Sequence, residues 1–139
     1  MDFRDSPEQA RLRAEVRAFA AQDAALAARP FLEDGWIAGF DSDFSRRIAA
    51  RGWIGMTWPK QYGGGERSYL DRLIVTEELL LAGAPVAAHW FGDRQIGPAL
   101  LAHGTEQQKL ELVPRIARAR RSRALPGGCA ARSRARAAA

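Results

Sequence analysis

Residues 53–65, WIGMTWPKQYGGG, constrain the fold more than any other part of the chain. Pro59 has no backbone N–H and pushes Trp58 toward an extended conformation, while three consecutive glycines permit backbone angles that other residues avoid. The segment is therefore predicted to be a loop. A loop with so many large apolar side chains must pack them against a neighbouring element; these side chains are Trp53, Ile54, Met56, Trp58 and Tyr62.

The neighbouring element is predicted to be a helix that begins at Ser68. Ser68 and Asp71 resemble a capping box with Asp in place of the usual Glu or Gln, and Gly83 suits the C-terminal end. Apolar residues at helical spacing predict a buried stripe of Leu70, Leu73, Ile74, Leu80 and Leu81. Glu77 interrupts the stripe and is interpreted as reaching water from its edge, the alternative being a buried acid with a partner. Glu78 is expected to point elsewhere.

Five further helices are predicted from capping signals and apolar spacing, over residues 7–28, 43–51, 86–91 and 96–103 and from Thr105 onward. The first has a capping box at Ser6 and Gln9, and the last has one at Thr105 and Gln108, with Pro114 expected to kink or end it. A kink is expected between the fourth and fifth helices of the chain. No segment alternates apolar and polar residues as strands do. The predicted fold class is all-α: a six-helix bundle, mostly antiparallel, with the aromatic and glycine-rich loop between the second and third helices.

The net charge of +5 is confined to the C-terminal end of the chain. No Asp or Glu follows Glu111, whereas eight arginines occur from Arg115 onward, so residues 1–114 carry 13 basic and 16 acidic side chains. We divide the chain into a helical domain, residues 1–118, and a tail, residues 119–139, which has too little apolar content to fold alone and is expected to be disordered. Two interpretations of this tail stay open: an anion-binding segment, or the product of a reading frame lost near residues 118–121.

Composition also bounds the setting in which the protein works. A length of 139 residues gives room for one domain, and a hydrophobic content of 47% is enough for a core. The one cysteine, Cys129, excludes an internal disulfide and is typical of the reducing cytosol, so a cytoplasmic location is expected. No apolar run approaches the ~20 residues that span a bilayer. Neither a membrane span nor a nucleic-acid partner is expected.

Three local motifs invite functional interpretations. The glycines 63–65 lack the Lys and Ser or Thr of a phosphate-binding loop and follow no predicted strand, so a structural turn is favoured. The two histidines, His89 and His103, lie fourteen residues apart with no cysteine between them, which is not a zinc pattern. His89 is interpreted as packed between helices, the alternative being a residue that lines a ligand pocket. No metal site is expected, and no Ser/His/Asp set is formed by spacing.

Three segments, GWIGMTWPKQYGGG, VTEELLLAGAP and IGPALLAHGTEQQKLELVPRIA, together resemble the N-terminal helical domain of the acyl-CoA dehydrogenase family. The resemblance covers residues 3–118. Members of that family are FAD-dependent enzymes that oxidise the α,β C–C bond of acyl-CoA thioesters. The resemblance implies an acyl-CoA substrate, and it implies that the helix after the TEEL segment forms one wall of the acyl-chain pocket, with Ala87, Ala88 and Phe91 at the wall positions.

The resemblance also implies what the chain does not supply. In the family, a following β-domain holds most of the flavin, and a glutamate in a C-terminal helical domain is the catalytic base. Neither region is recognised after residue 118, so the chain is expected to be truncated, to bind no FAD alone and to contain no catalytic residue. Its expected partners are the missing β and C-terminal helical domains or a homologous subunit. Without them, Trp53, Trp58, Tyr62 and Phe91 are expected to form an exposed apolar patch. The alternative function is a stand-alone helical binding or partner-subunit module without catalysis.

Overall fold

The computed structural model describes residues 4–28 and 41–120, and within these ranges the chain is helical with no strand. The helices are α1 Pro7–Gln22, α2 Ala24–Ala27, α3 Ser42–Ala50, α4 Tyr69–Leu81, α5 Ala87–Phe91, α6 Gly97–His103 and α7 Glu106–Ala117. A 3₁₀ turn, Lys60–Tyr62, lies between α3 and α4, and a π-helical turn, Gly92–Ile96, joins α5 to α6. The all-α class is confirmed, whereas the count of six helices is not. The predicted tail lies outside the described residues from position 121 onward.

The predicted capping residues are found at the N-termini of three helices. Ser6 and Gln9 form a reciprocal capping box at α1, and Thr105 and Gln108 form one at α7. At α4 the Ser68 hydroxyl accepts a hydrogen bond from the Asp71 N–H at 3.0 Å. Each cap satisfies an N–H that the first helical turn cannot bond internally. α7 continues past Pro114 and ends at Ala117.

The first helix ends earlier than predicted, at Gln22 instead of Ala28. Asp23 leaves helical geometry, with ψ at 96°, and its side chain accepts a hydrogen bond from the Leu26 N–H at 3.0 Å. The same carboxylate pairs with Arg47 of α3 at 2.8 Å. Asp23 therefore ends α1 and caps α2, because a contact from another helix fixes it at the boundary. Alanine content alone favoured an uninterrupted helix.

The buried face of α4 differs from the predicted stripe. Leu70, Leu73 and Leu81 are 58%, 58% and 70% exposed. The buried residues are Ile74, Val75, Glu78 and Leu79. The prediction that Glu78 points away from the core is therefore wrong, and Glu77 lies on the exposed side as the favoured interpretation held. The sequence carries apolar residues on both sides of α4, and packing against α1 decides which side is buried.

The aromatic loop anchors two clusters of core residues. Trp53, Ile54 and Met56 join side chains from α1, α3 and α4 in the larger cluster. Trp58 and Tyr62 form the smaller cluster with Val113 and Ala117 of α7. The loop is packed, but the helix that begins at Ser68 is only part of its support, because Trp58 and Tyr62 lie against α7.

The predicted exposed aromatic patch is wrong for three of its four members. Trp53, Trp58 and Tyr62 are 5%, 2% and 6% exposed, whereas Phe91 is 46% exposed. The helices of this chain alone are enough to cover the loop.

The expected kink between the fourth and fifth predicted helices takes the form of the π turn, after which the helix continues into α6. A π turn inserts one extra residue per turn without breaking the helix. Asp93, within this turn, accepts a hydrogen bond from the Gly55 N–H at 2.7 Å and so ties the turn to the aromatic loop. Within the described ranges, none of the helices has the length and apolar character needed to cross a bilayer.

Candidate functional site

The residues predicted to line a ligand pocket lie on α5. Ala87 and Phe91 are one helical turn apart and share a face, where Ala87 is buried and Phe91 is half exposed. Ala88 lies within the same helix, but its side chain is outside the described part of the chain. α5 therefore presents one large, half-exposed apolar ring, Phe91, one turn from a small buried residue, Ala87.

Phe91 borders a cavity of about 260 Å³, which we call the Phe91 cavity. It lies between the start of α3, the α5–π turn segment and the end of α7. Its apolar lining is Phe91, Gly92, Ile96, Ile116 and Ala119. Its polar lining is Ser42, Ser45, Arg46, His89 and Arg120. Ala87 does not line it, so the structure brings Phe91 and His89 to the cavity but not the whole predicted wall.

His89 is a neutral side chain held in place by α3. Burial lowers the pKa of His89 to about 4, and the nearby Arg94 charge adds to this effect. Ser45 donates its hydroxyl proton to the Asp41 carbonyl at 3.0 Å, and its oxygen lies 3.2 Å from His89 Nδ1. This contact holds the imidazole ring against α3. His89 contacts α3, as the favoured interpretation held, and it also lines the Phe91 cavity. A role in an acyl pocket stays a prediction.

Three carboxylates, Glu77, Glu78 and Asp93, are engaged in structural contacts. Glu78 contacts Arg13 at 2.6 Å and Arg17 at 2.7 Å, and the hydrogen bond from Arg17 is the main reason that its pKa is lowered. Glu77 pairs with Arg13 at 2.7 Å. Asp93 accepts from the Gly55 N–H and contacts Arg94 at 3.0 Å. None of the three lines the Phe91 cavity, so none is placed to act on a ligand there.

A larger groove of about 330 Å³ lies between α1, α2 and α4. Its charged lining residues are Arg17 and Glu78, which bond each other. The remaining lining is aliphatic, so the groove offers no unpaired charge to a polar ligand. The Phe91 cavity is the stronger candidate for a ligand site, because its charged lining residues, Arg46 and Arg120, are both positive.

The triple-glycine loop is not shaped to hold phosphate groups. The N–H groups of Gly63, Gly64 and Gly65 donate to the carbonyls of Lys60, Pro59 and Gly55 at 2.8, 3.1 and 3.1 Å. A Cβ at position 64 would lie 2.2 Å from the Trp58 carbonyl oxygen. The glycines therefore permit a close turn against Trp58, which supports the structural interpretation and leaves no free cradle for a nucleotide phosphate. Within residues 4–28 and 41–120, no group of three potential metal ligands comes together.

The described residues form an all-helical domain with a largely apolar cavity. The family model for the acyl-CoA dehydrogenase N-terminal domain matches residues 6–120, so the chain belongs to the acyl-CoA dehydrogenase family, in that domain. It is 34% identical over 116 residues to acyl-CoA dehydrogenase FadE26 of Mycobacterium tuberculosis, covering 81% of this chain. It is 42% identical over 65 residues, 45% of this chain and 16% of the relative, to 3-sulfinopropanoyl-CoA desulfinase of Cupriavidus necator.

Two solved structures share the fold. One is the ChsE4-ChsE5 complex from Mycobacterium tuberculosis, with a TM-score of 0.69 and 30% identity over 92% of this chain and 33% of that chain. The other is described as a Tcur3481-Tcur3483 steroid ACAD, with a TM-score of 0.72 and 30% identity over 86% of this chain and 31% of that chain. The chain spans 28% of the length of FadE26. Its likeness to these proteins is therefore a likeness to their N-terminal domain.

Proposed function

We propose that this chain is the N-terminal domain of an FAD-dependent acyl-CoA dehydrogenase, in which α5 forms one wall of the acyl-chain pocket. The observation that carries the proposal is the half-exposed Phe91 ring beside an apolar cavity, on the helix that the family resemblance selects. Ala87, Ala88 and Phe91 are the proposed wall residues. Their role is to keep water from the acyl chain and to set the depth of the pocket.

The chemistry is proposed to lie on other parts of the dehydrogenase. FAD, when bound there, supplies the hydride acceptor, and a glutamate outside this chain removes the α-proton. The described residues do not fit a flavin phosphate at the glycine-rich loop, because its N–H groups are already bonded. We therefore propose that the chain alone neither binds FAD nor turns over acyl-CoA.

A partner surface is proposed on α4. Its exposed apolar side chains are Tyr69, Leu70, Leu73 and Leu81. Large apolar side chains grouped on one face usually mark a contact surface. One solved relative is described as a complex of two proteins, ChsE4 and ChsE5. We propose that the rest of the dehydrogenase, or a homologous subunit, covers this face, and that the whole enzyme is cytoplasmic. A stand-alone binding module is the second candidate, and this same face favours it.

The acyl group is the least constrained part of the proposal. One solved relative is described as a steroid ACAD. An acyl-CoA thioester with a bulky alicyclic group is therefore the substrate class to test beside linear acyl-CoA.

We expect the purified chain to bleach no dye acceptor when supplied with FAD and with short, medium or long acyl-CoA. An α-proton of a thioester is too weakly acidic for an unassisted carboxylate, and Glu77, Glu78 and Asp93 are already paired. The assay follows dye absorbance against a blank without protein.

The control variants for this assay are Glu77→Gln, Glu78→Gln and Asp93→Asn. Bleaching above the blank that disappears in any one of them would show that the chain carries a base of its own and can use the added FAD. That result would contradict the proposal that the chemistry lies on other parts of the dehydrogenase.

A further inference from the structure

The Phe91 cavity is bordered by positive charges, for which an uncharged acyl chain offers no partner. Among its ten lining residues are two arginines, Arg46 from α3 and Arg120 just after α7, and no acidic side chain. The rest of the lining is apolar or neutral, with His89 uncharged at neutral pH because its pKa is about 4. An apolar cavity bordered by cations is complementary to a ligand with an apolar body and an anionic end.

The two arginines differ in whether their guanidinium groups are paired with a carboxylate. Arg46 pairs with Asp43 on the surface of α3, where both side chains are more than half exposed. Such an exposed pair is weak and exchanges readily with water. No carboxylate pairs with Arg120 among the described residues. Its backbone N–H donates to the Arg115 carbonyl at 2.9 Å, which places the residue at the cavity.

We propose that the Phe91 cavity binds a monomeric aliphatic carboxylate, with the apolar chain against Phe91, Ile96 and Ile116 and the carboxylate against Arg46 and Arg120. A guanidinium is a strong partner for a carboxylate because its N–H groups match the two oxygens. This ligand class differs from an acyl-CoA thioester, in which the carboxylate is esterified and carries no charge. The site would let a free acid compete with an acyl chain for the same apolar space, a consequence that rests on the proposed function.

The test compares octanoate with octanamide, which has the same chain length and shape but no charge. The full 139-residue chain is titrated at low ionic strength below the micelle concentration, and the Ile96 and Ile116 methyl NMR signals are followed. We expect octanoate to bind about tenfold more tightly than octanamide, as a charge-assisted hydrogen bond at a partly exposed site allows. We expect added salt to reduce this preference.

Matched variants assign the preference to the two arginines. Arg46→Gln and Arg120→Gln are each expected to reduce it, and the double variant is expected to bind octanoate and octanamide equally. Arg115→Gln is the control, since Arg115 pairs with Glu111 and does not line the cavity. Circular dichroism spectra that match the unmodified chain show that the variants fold.

Four results would overturn the proposal. They are equal affinity for the two ligands, a preference that persists in the double variant, absence of binding by both ligands at millimolar concentration, and binding of phosphatidylglycerol vesicles that needs both arginines and is stronger than binding of octanoate. The last would assign the charges to a membrane surface. Neither probe contains coenzyme A, so these results do not depend on whether the acyl-CoA function is correct.

Discussion

Replacing Arg13 and Arg17 together with Met is expected to lower the free energy of unfolding by about 3 kcal/mol at neutral pH. Glu78 is 4% exposed between α1 and α4, and these two guanidiniums are its charged partners. Without them a buried carboxylate keeps its charge with nothing to compensate it, which is the costly way to break a buried ion pair. Urea unfolding followed by circular dichroism measures the loss.

Two controls separate the buried charge from the loss of arginine itself. Adding Glu78→Gln to the double variant is expected to restore most of the stability, since it removes the uncompensated charge. Arg115→Met, which breaks an exposed pair with Glu111 one turn away on α7, is expected to change the free energy of unfolding by less than about 0.5 kcal/mol. A loss in the double variant that Glu78→Gln does not relieve would contradict this explanation.

The loss in the double variant should also depend on pH. In the unmodified chain the arginines hold the pKa of Glu78 below its ordinary value of 4.5, so the pairing stabilises the fold above that pH and is lost as the pH falls. In the double variant burial acts alone and raises the pKa, so protonation relieves the buried charge. The difference between the two proteins is therefore expected to shrink as the pH falls toward about 5.

Gly97→Ala is expected to destabilise the fold by about 3 kcal/mol, although Ala is normally about 1 kcal/mol better than Gly within a helix. A Cβ at this position would lie 2.1 Å from Trp58 Cζ2 and 2.4 Å from Cη2. Trp58 is 2% exposed and packs with Tyr62, Val113 and Ala117, so its ring has no free space to move into. Thermal unfolding of the variant measures the cost.

A double-mutant cycle shows whether the contact with Trp58 is the cause. Trp58→Phe removes the ring atoms that would clash, and in that background Gly97→Ala is expected to cost less than about 1 kcal/mol. Gly92→Ala is a comparison variant, because its Cβ would meet a single methyl, Ile116 Cγ2 at 2.9 Å, and no ring atom. Equal costs of Gly97→Ala in both backgrounds would exclude the Trp58 contact.

Local chemistry made much of the fold predictable. The caps at Ser6, Ser68 and Thr105 are short-range hydrogen bonds whose partners lie three residues away in the chain, so the sequence alone identifies them. Pro59 and the glycines after it likewise predicted a loop. These features depend on backbone groups within a single turn, and tertiary packing does not override them.

Tertiary contacts decided what the sequence left ambiguous. α4 has apolar residues on two sides, and the arginines of α1 draw Glu78 to the buried side while Leu70 and Leu73 remain exposed. The spacing of apolar residues within α4 cannot indicate an ion pair with arginines more than sixty positions away in the chain. The same holds for Asp23, whose role at the end of α1 depends on Arg47.

The candidate site, too, was predictable only in part from the sequence. The family resemblance directed attention to α5 and Phe91. It gave no signal for Ser45, Arg46, Ile116 or Arg120, which come from α3, from α7 and from the residues just after α7 and meet only in the folded chain. His89 was singled out by its neighbours in sequence, but its contact with Ser45 required the packing of α3 against α5.

The most direct test of the proposed acyl-chain wall compares octanoyl-CoA with coenzyme A on the 139-residue chain. The Phe91 ring signals, assigned with Phe91→Leu, and the Ile96 methyl signals report on two residues that line the cavity. We predict that octanoyl-CoA shifts both sets of signals in a saturable way, and that coenzyme A, which has the same nucleotide and no acyl chain, leaves them unchanged. Absence of any shift with octanoyl-CoA, or the same shift with coenzyme A, would contradict the proposal that α5 binds the acyl chain.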